Sequence, residues 1–251
     1  MSFNVYIPAR FESSRLPRKL LLEASGVSIL ERVYRNACDS GAERVIIATD
    51  SDAIEKLCRS FGAEVTITAD THQSGTDRIA EAVSLNGEIP GQVIVNVQGD
   101  EPLLPPEVIQ QVARLLESDP TADVATVCEE FAADERGDDP NICKVVTNKR
   151  GHALYFSRAA IPFCRELADS HAIADLMRRH VGIYAYRADF LSKFVQLPIS
   201  DLEKLEKLEQ LRALDNGYTI VVADAIKNCG FGIDTEDDFE RFCKLIKTRH
   251  E

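Results

Sequence analysis

Residues 4–20 read NVYIPARFESSRLPRKL, and the rest of the chain can be read outward from them. Residues 5–7 are the apolar end of a short buried strand. Pro8 is expected to stop it, because proline has no N–H to give a ladder. Residues 9–19 then carry four bases, Arg10, Arg15, Arg18 and Lys19, against one acid, Glu12. The whole chain is acidic, with a net charge of -12. Positive charge gathered in the loop that leaves the first strand of an acidic protein points to a bound anion. In open α/β sheets ligands sit outside the carboxyl ends of the strands. There, backbone N–H groups and Arg or Lys heads suit a polyphosphate. On charge alone, a solvated loop that is basic by chance is an equal reading.

Downstream the pattern alternates. Residues 28–38 have helical spacing of Ile29, Leu30, Val33, Tyr34 and Ala37. RVIIAT at 44–49 is a continuous apolar run, as in a parallel strand buried on both faces. A helix to about Phe61 and a strand at 64–68 follow. This order calls for right-handed crossovers and a parallel sheet. The loop 69–76 leads into a helix; the plain structural reading makes Thr76 its N-cap with Gly75 in the turn, against a functional reading of the same residues. Arg78 then falls in the first helical turn, where a cation opposes the helix dipole, a conflict that a bound anion would relieve. Residues 92–98 are the most apolar strand and end in Gly99-Asp100-Glu101-Pro102. A carboxylate there suits a magnesium-nucleotide, although Gly-Asp-x-Pro is also good turn material.

A helix at 105–118 and a strand at 123–128 complete the parallel pattern. Residues 142–147 and 152–158 then read as a hairpin across Asn148-Lys149-Arg150-Gly151. With a further strand at 180–187, this marks an antiparallel subdomain inserted at 129–187 in a single α/β domain, 1–251. Residues 200–214 read as one amphipathic helix with leucines every third position. A strand at 219–223 and a helix at 235–247 close the chain. The helix is led by Thr235 and Asp238 in a capping-box spacing. The fold class expected is α/β, with a mostly parallel, Rossmann-like sheet.

Composition narrows the classes. At 45% hydrophobic residues the 251-residue chain is ordinary for a globular protein with a sizeable core. No apolar run approaches the ~20 residues of a membrane span. The N-terminus runs straight into a strand without a signal-peptide pattern, so a cytoplasmic location is expected. Seven scattered cysteines without a Cys-x-x-Cys pair argue against a disulfide framework or a structural zinc site. The net negative charge disfavours nucleic acid and anionic membranes as partners.

The order of motifs is more specific than any of these. Ile7-Pro8-Ala9-Arg10, Ser13-Ser14-Arg15-Leu16-Pro17 and Lys19 are followed by His72-Gln73-Ser74-Gly75-Thr76-Asp77-Arg78 and Val97-Gln98-Gly99-Asp100-Glu101-Pro102. Then come Ala153-Leu154-Tyr155-Phe156-Ser157-Arg158, Arg179-His180-Val181-Gly182-Ile183-Tyr184, Leu208-Glu209-Gln210-Leu211-Arg212 and Gly232-Ile233-Asp234-Thr235. Over nearly its whole length the chain resembles the sugar-acid cytidylyltransferases. Within them it resembles the branch that activates 3-deoxy-manno-octulosonate (Kdo) for lipopolysaccharide. One departure is Leu16-Pro17-Arg18-Lys19-Leu20-Leu21, where that family usually reads Leu-Pro-Gly-Lys-Pro-Leu. It is expected to alter the loop's resting conformation, and with it the CTP affinity or the sugar preferred.

The resemblance implies a nucleotidyltransferase sheet, CTP and an acidic eight-carbon sugar as substrates, Mg²⁺, and a homodimer formed through the insert. It places Arg10, Ser14, Arg15, Lys19, Ser74, Gly75, Arg78 and Gln98 at the nucleotide, with Lys19, Asp100 and Arg10 catalytic. Asp100 and Asp234 are the implied metal carboxylates. Arg158, His180, Tyr184, Glu209 and Gln210 are the implied sugar contacts, and a planar Arg is the best donor for a carboxylate. Two other readings stay open: the same chemistry on an analogue such as the 8-amino sugar, and a nucleotide-binding regulator without catalysis.

Overall fold

The computed structural model describes residues 2–13, 15–131, 135–163, 165 and 176–250. Its centre is β1, Phe3–Ala9, whose seven residues are all buried. β1 lies between β4 (Arg44–Thr49) and β6 (Val93–Asn96) in parallel register, with Asn4 opposite Arg44 and Phe3 opposite Val93. Two two-residue strands, β2 (Glu23–Ala24) and β3 (Val27–Ser28), form a separate small hairpin. β5 (Glu64–Ile67) lies at one edge of the main sheet. On the other side come β10 (Arg178–Arg187), β7 (Val124–Glu129) and β11 (Ile220–Asp224), giving the order β11-β7-β10-β6-β1-β4-β5. Six of these seven strands run one way, and β10 alone runs against its neighbours. The hairpin β8 (Lys144–Thr147) with β9 (Ala153–Ser157) joins the sheet at the start of β10.

Helices cover both faces, as a sheet with two apolar faces requires. One core lies under α1 (Ile29–Asp39), α2 (Asp52–Ser60), α4 (Pro106–Ser118) and the last helix, Glu236–His250. The other lies under α3 (Gly75–Leu85) and the helix Ala188–Phe194. Serine caps start the first three helices: Ser28 accepts from Glu31 N, Ser51 from Ile54 N and Ser74 from Asp77 N. The expected Thr235 and Asp238 box is present, each accepting the other's backbone N–H.

Four expectations need correction. Pro8 does not end β1; it pairs opposite Ala48 and the strand continues to Ala9. The ladder with β6 stops at Tyr6, and the Tyr6 carbonyl accepts from Val97 N. Backbone groups alternate sides, so the N–H that Pro8 lacks falls where β6 has already ended. The N-cap of α3 is Ser74, not Thr76, closed by a full capping box with Asp77. The helix foreseen at 200–214 is two, Asp201–Glu206 and Gln210–Asp215, because Lys207 turns left-handed at φ 54°. Leu205 is therefore left 82% exposed while Leu208 and Leu211 are buried. Finally, the hairpin of the 129–187 insert is antiparallel as expected, but its last strand is threaded into the middle of the main sheet.

Candidate functional site

At the carboxyl ends of β1 and β6 the chain builds a cavity of about 290 Å³, lined in part by Arg10, Arg15, Lys19, Gly75, Gln98, Asp100 and Asp234. β1 delivers Arg10. The loop after it turns back at Arg18, which adopts φ 56°, ψ 29° without being glycine, its guanidinium 5.3 Å from the centre of the Phe11 ring. Lys19–Leu21 then makes one 3₁₀ turn, and Leu20 is buried against Gly99. That anchor directs Lys19 inward. A Cβ on Gly99 would stand 3.1 Å from the Pro8 carbonyl, so a larger residue would push β1 and the Asp100 turn apart by a few tenths of an ångström.

Asp100 and Asp234 meet because the Ile233 N–H donates to the Asp100 carbonyl at 2.9 Å. Lys19 Nζ donates to both carboxylates, to Asp234 Oδ1 at 2.9 Å and to Asp100 Oδ2. Arg15 Nη2 reaches the other Asp234 oxygen at 2.9 Å. Burial opposes the lysine's charge, but the two carboxylates outweigh it and raise its pKa. Next to Asp100, the Glu101 carboxyl sits against Gly232 and is pushed up to about 8, first by burial and then by the charge of Asp100. Two hard oxygen donors facing one cation position fit Mg²⁺, which takes one or two carboxylates and completes its shell with water and phosphate oxygens. Among the described residues no three His, Cys, Asp or Glu side chains are grouped to hold a metal.

The wall beside this cavity is the first turn of α3. The Ser74 side chain is occupied as the cap, accepting from Asp77 N at 3.0 Å. Gly75 is not at positive φ; a Cβ there would press on Pro8 Cγ at 3.2 Å and approach the Gln98 amide oxygen at 3.7 Å. Gln98 donates to Asn96, which stands opposite Tyr184 across the β6–β10 pair. Arg10 Nη2 is buried and has no hydrogen-bond partner among the described residues.

Across Asn96 and Tyr184 lies a second cluster. His180 and Tyr184 have ring centres 5.4 Å apart. Thr126 Oγ1 lies 2.7 Å from the Ile183 carbonyl and 2.9 Å from His180 Nε2. A hydroxyl has one proton to donate. With that proton on the carbonyl, Thr126 accepts from Nε2–H, and Nδ1 is left as an acceptor. Burial, then Arg179, pushes the His180 pKa down to about 3. The ring is neutral and suits a hydroxyl, not a carboxylate. Glu209 Oε2 accepts from Thr76 Oγ1 at 2.6 Å, while Oε1 is buried without a hydrogen-bond partner. Burial raises the pKa of Glu209. Buried Gln210 reaches Cys143 Sγ at 3.8 Å.

Of the other expected site residues, Arg78 is turned inward and Arg158 is partly engaged. Arg78 is 1% exposed, bonded to Asp50 at 2.7 Å and Thr68 at 2.6 Å, so its charge is met inside the protein and no anion is needed. Arg158 gives Nε to the Glu206 carbonyl and Nη1 to the Pro140 carbonyl. Three of its five N–H groups, one on Nη1 and two on Nη2, are left for a ligand. Ser14 lies outside the described residues. Sequence reading also missed Thr126 and the link from Ile233 to Asp100. A lone threonine inside the apolar run at 123–128 was a signal for the first; a backbone contact leaves none for the second.

The cytidylyltransferase family profile matches residues 5–220. The 3-deoxy-manno-octulosonate cytidylyltransferase of Francisella philomiragia is 47% identical over 247 residues, covering 98% of this chain and 99% of that one. The 3-deoxy-manno-octulosonate cytidylyltransferase 1 of Hydrogenovibrio crunogenus is 46% identical over 250 residues, covering 98% and 96%. A solved CMP:2-keto-3-deoxy-manno-octonic acid synthetase complexed with CTP is 37% identical with a TM-score of 0.91, covering 99% and 100%.

Two predictions follow from the burial of charge and of the imidazole. Arg78→Met leaves Asp50 without its buried partner and should cost about 3 kcal/mol, read from urea unfolding. The folded fraction should bind nucleotide as the parent does, and a selective loss of nucleotide affinity would return Arg78 to the site. His180 protonates near 6.5 when unfolded and near 3 when folded. Between those values the unfolded state binds more protons, so stability is full above pH 6.5 and falls as pH drops towards 3. His180→Gln should flatten that acid limb by up to about 1.4 kcal/mol per pH unit, measured by unfolding at pH 6, 5 and 4.

Proposed function

The chain belongs to the cytidylyltransferase family, and on that footing we propose that it transfers a cytidylyl group from CTP to Kdo, giving CMP-Kdo and pyrophosphate. The observation that carries the reading is the meeting of Lys19, Asp100 and Asp234 at the mouth of the basic loop after β1. The names of the full-length relatives supply the sugar. They do not favour an amino-sugar analogue or a non-catalytic regulator.

In the reaction the anomeric hydroxyl oxygen of the sugar acid attacks the α-phosphorus. Its bond to phosphorus forms as the bond to the pyrophosphate oxygen breaks in line, and the hydroxyl proton leaves. The barrier is dominated by bringing two anions together and by charge on the phosphoryl oxygens, so positioning and positive charge are the useful tools. Arg10, Arg15 and Lys19 hold the triphosphate. Gly75, the α3 amides and Gln98 meet the base. Glu209, Gln210, Tyr184 and the neutral His180 take sugar hydroxyls, and Arg158 borders them. Asp100 and Asp234 would hold Mg²⁺, which would neutralise phosphate charge and lower the pKa of the attacking hydroxyl. The β8–β9 hairpin, with Leu154 62% exposed, is the proposed homodimer face. A cytoplasmic enzyme supplying lipopolysaccharide synthesis completes the proposal.

Asp100→Ala should fold with an unchanged thermal midpoint and lose on the order of 10²–10³ in turnover. The check is pyrophosphate release with Kdo, 8-amino-Kdo and sialic acid. Preference of the parent for Kdo supports the proposal; turnover of Asp100→Ala near the parent's would remove Asp100 from the site.

A further inference from the structure

Thr76 sits in the first turn of α3, where the plain structural reading of the sequence makes it the helix cap. Ser74 fills that role. The Thr76 side chain is therefore not needed to start the helix, yet it is 3% exposed and points across to the segment between the helices Asp201–Glu206 and Gln210–Asp215. Its hydroxyl donates to Glu209 Oε2 at 2.6 Å. Tyr186, buried on β10, interacts with the same hydroxyl. Thr76 thus joins three elements at one oxygen: α3, the central strand β10 and the Glu209 segment.

The other Glu209 oxygen, Oε1, is buried with no hydrogen-bond partner among the described residues. Arg212 Nη2 lies 3.9 Å from it, too far for a hydrogen bond, and is itself bonded to Glu203 at 2.6 Å. A buried, partnerless carboxylate oxygen is costly unless something donates to it. Arg10 Nη2 is the matching orphan, a buried donor without a partner, and it feels the charge of Glu209. Arg10 lines the cavity beside the turn that carries Gly75, and a ligand bearing hydroxyls next to an anionic group would satisfy both the orphan donor and the orphan acceptor. Left-handed Lys207 breaks the helix just before Glu209, and the Glu203–Arg212 pair spans that break. Glu209 is held from both sides: Thr76 holds Oε2, and the Ser74 hydroxyl bonds the same carboxylate.

We propose that Thr76 is a positioning residue for the acceptor sugar: its hydroxyl holds Glu209 Oε2 so that Oε1 accepts a hydrogen bond from a sugar hydroxyl. This rests on the reading of the site as a sugar-acid cytidylyltransferase. It also makes the base-reading turn and the sugar wall one unit, since neighbouring residues, Gly75 and Thr76, serve the two substrates. The groups that face Glu209 are Arg212 on its own helix, Ser74, Thr76 and Asp77 on α3, Tyr184 and Tyr186 on β10, and Arg10 after β1.

The test is Thr76→Val, which keeps the shape and removes the hydroxyl, beside Thr76→Ser, which keeps the hydroxyl. Pyrophosphate release is followed with CTP and Kdo varied separately, and CTP binding is measured directly by calorimetry. Thr76→Val should raise KM for Kdo about tenfold, the worth of one charge-assisted hydrogen bond. Its CTP affinity should stay within twofold, and Thr76→Ser should restore most of the loss. Losing a donor to Glu209 should also move the acid limb of its pH–rate profile upward, because the carboxyl then protonates more easily. An unchanged Kdo KM in Thr76→Val, or a serine variant no better than valine, overturns the positioning role. Parent protein that binds CTP but releases no pyrophosphate with Kdo overturns instead the reading on which it rests.

Discussion

One ammonium shared by two carboxylates is the constraint on which the site depends. Lys19, Asp100 and Asp234 come from the beginning, middle and end of the chain. Like charges at that separation would repel in the partly dehydrated cleft, where screening is weaker than in water. A cation between them is a condition of the arrangement, and in the resting protein that cation is Lys19. The supporting contacts converge on the same point. Leu20 is buried to aim the lysine, Gly99 admits the Pro8 backbone, and the Ile233 N–H ties the last loop to the Asp100 carbonyl. The protein thereby holds in register two carboxylates suited to a divalent cation and the basic groups suited to a polyphosphate.

The basic loop explains why a glycine is dispensable at position 18. Arg18 takes the left-handed conformation that glycine visits freely and other residues visit at a cost of about 1–3 kcal/mol. Its guanidinium over the Phe11 ring returns part of that, since an exposed cation–π contact contributes about 0.5–1 kcal/mol. Leu20, in the place where the resembling family usually has proline, contributes a buried side chain. The departure from the expected motif therefore changes what stabilises the turn while leaving Lys19 directed at the carboxylates. It also adds a cation to the basic loop after β1.

Much of the fold was legible because its signals are local. The parallel strands announce themselves as continuous apolar runs, and the helices as caps followed by a 3.6-residue period. Asp100 and Lys19 were legible because a carboxylate after a central strand and a basic loop after the first strand carry chemistry in their positions. What failed was set by contacts distant in sequence. Arg78 looked like an anion ligand until Asp50, 28 residues earlier, was seen to neutralise it. Arg158 gives Nε and Nη1 to the Glu206 and Pro140 carbonyls, contacts that its own stretch of sequence does not announce. The leucine period of 200–214 suggested one helix, but Lys207 breaks it, and the break is what brings Glu209 to Thr76. Residues 180–187 read as part of an appended subdomain because antiparallel pairing is not visible in one strand's sequence; only the partners β6 and β7 reveal it.

The most direct measurement of the central claim is pyrophosphate release from CTP and Kdo by the unmodified chain, with MgCl₂ and again with excess EDTA. Turnover that requires Kdo and magnesium together, and returns when magnesium is restored, is the predicted result. Absence of turnover with magnesium, or an equal rate in EDTA, would contradict the assignment of Lys19, Asp100 and Asp234 to a metal-assisted cytidylyl transfer.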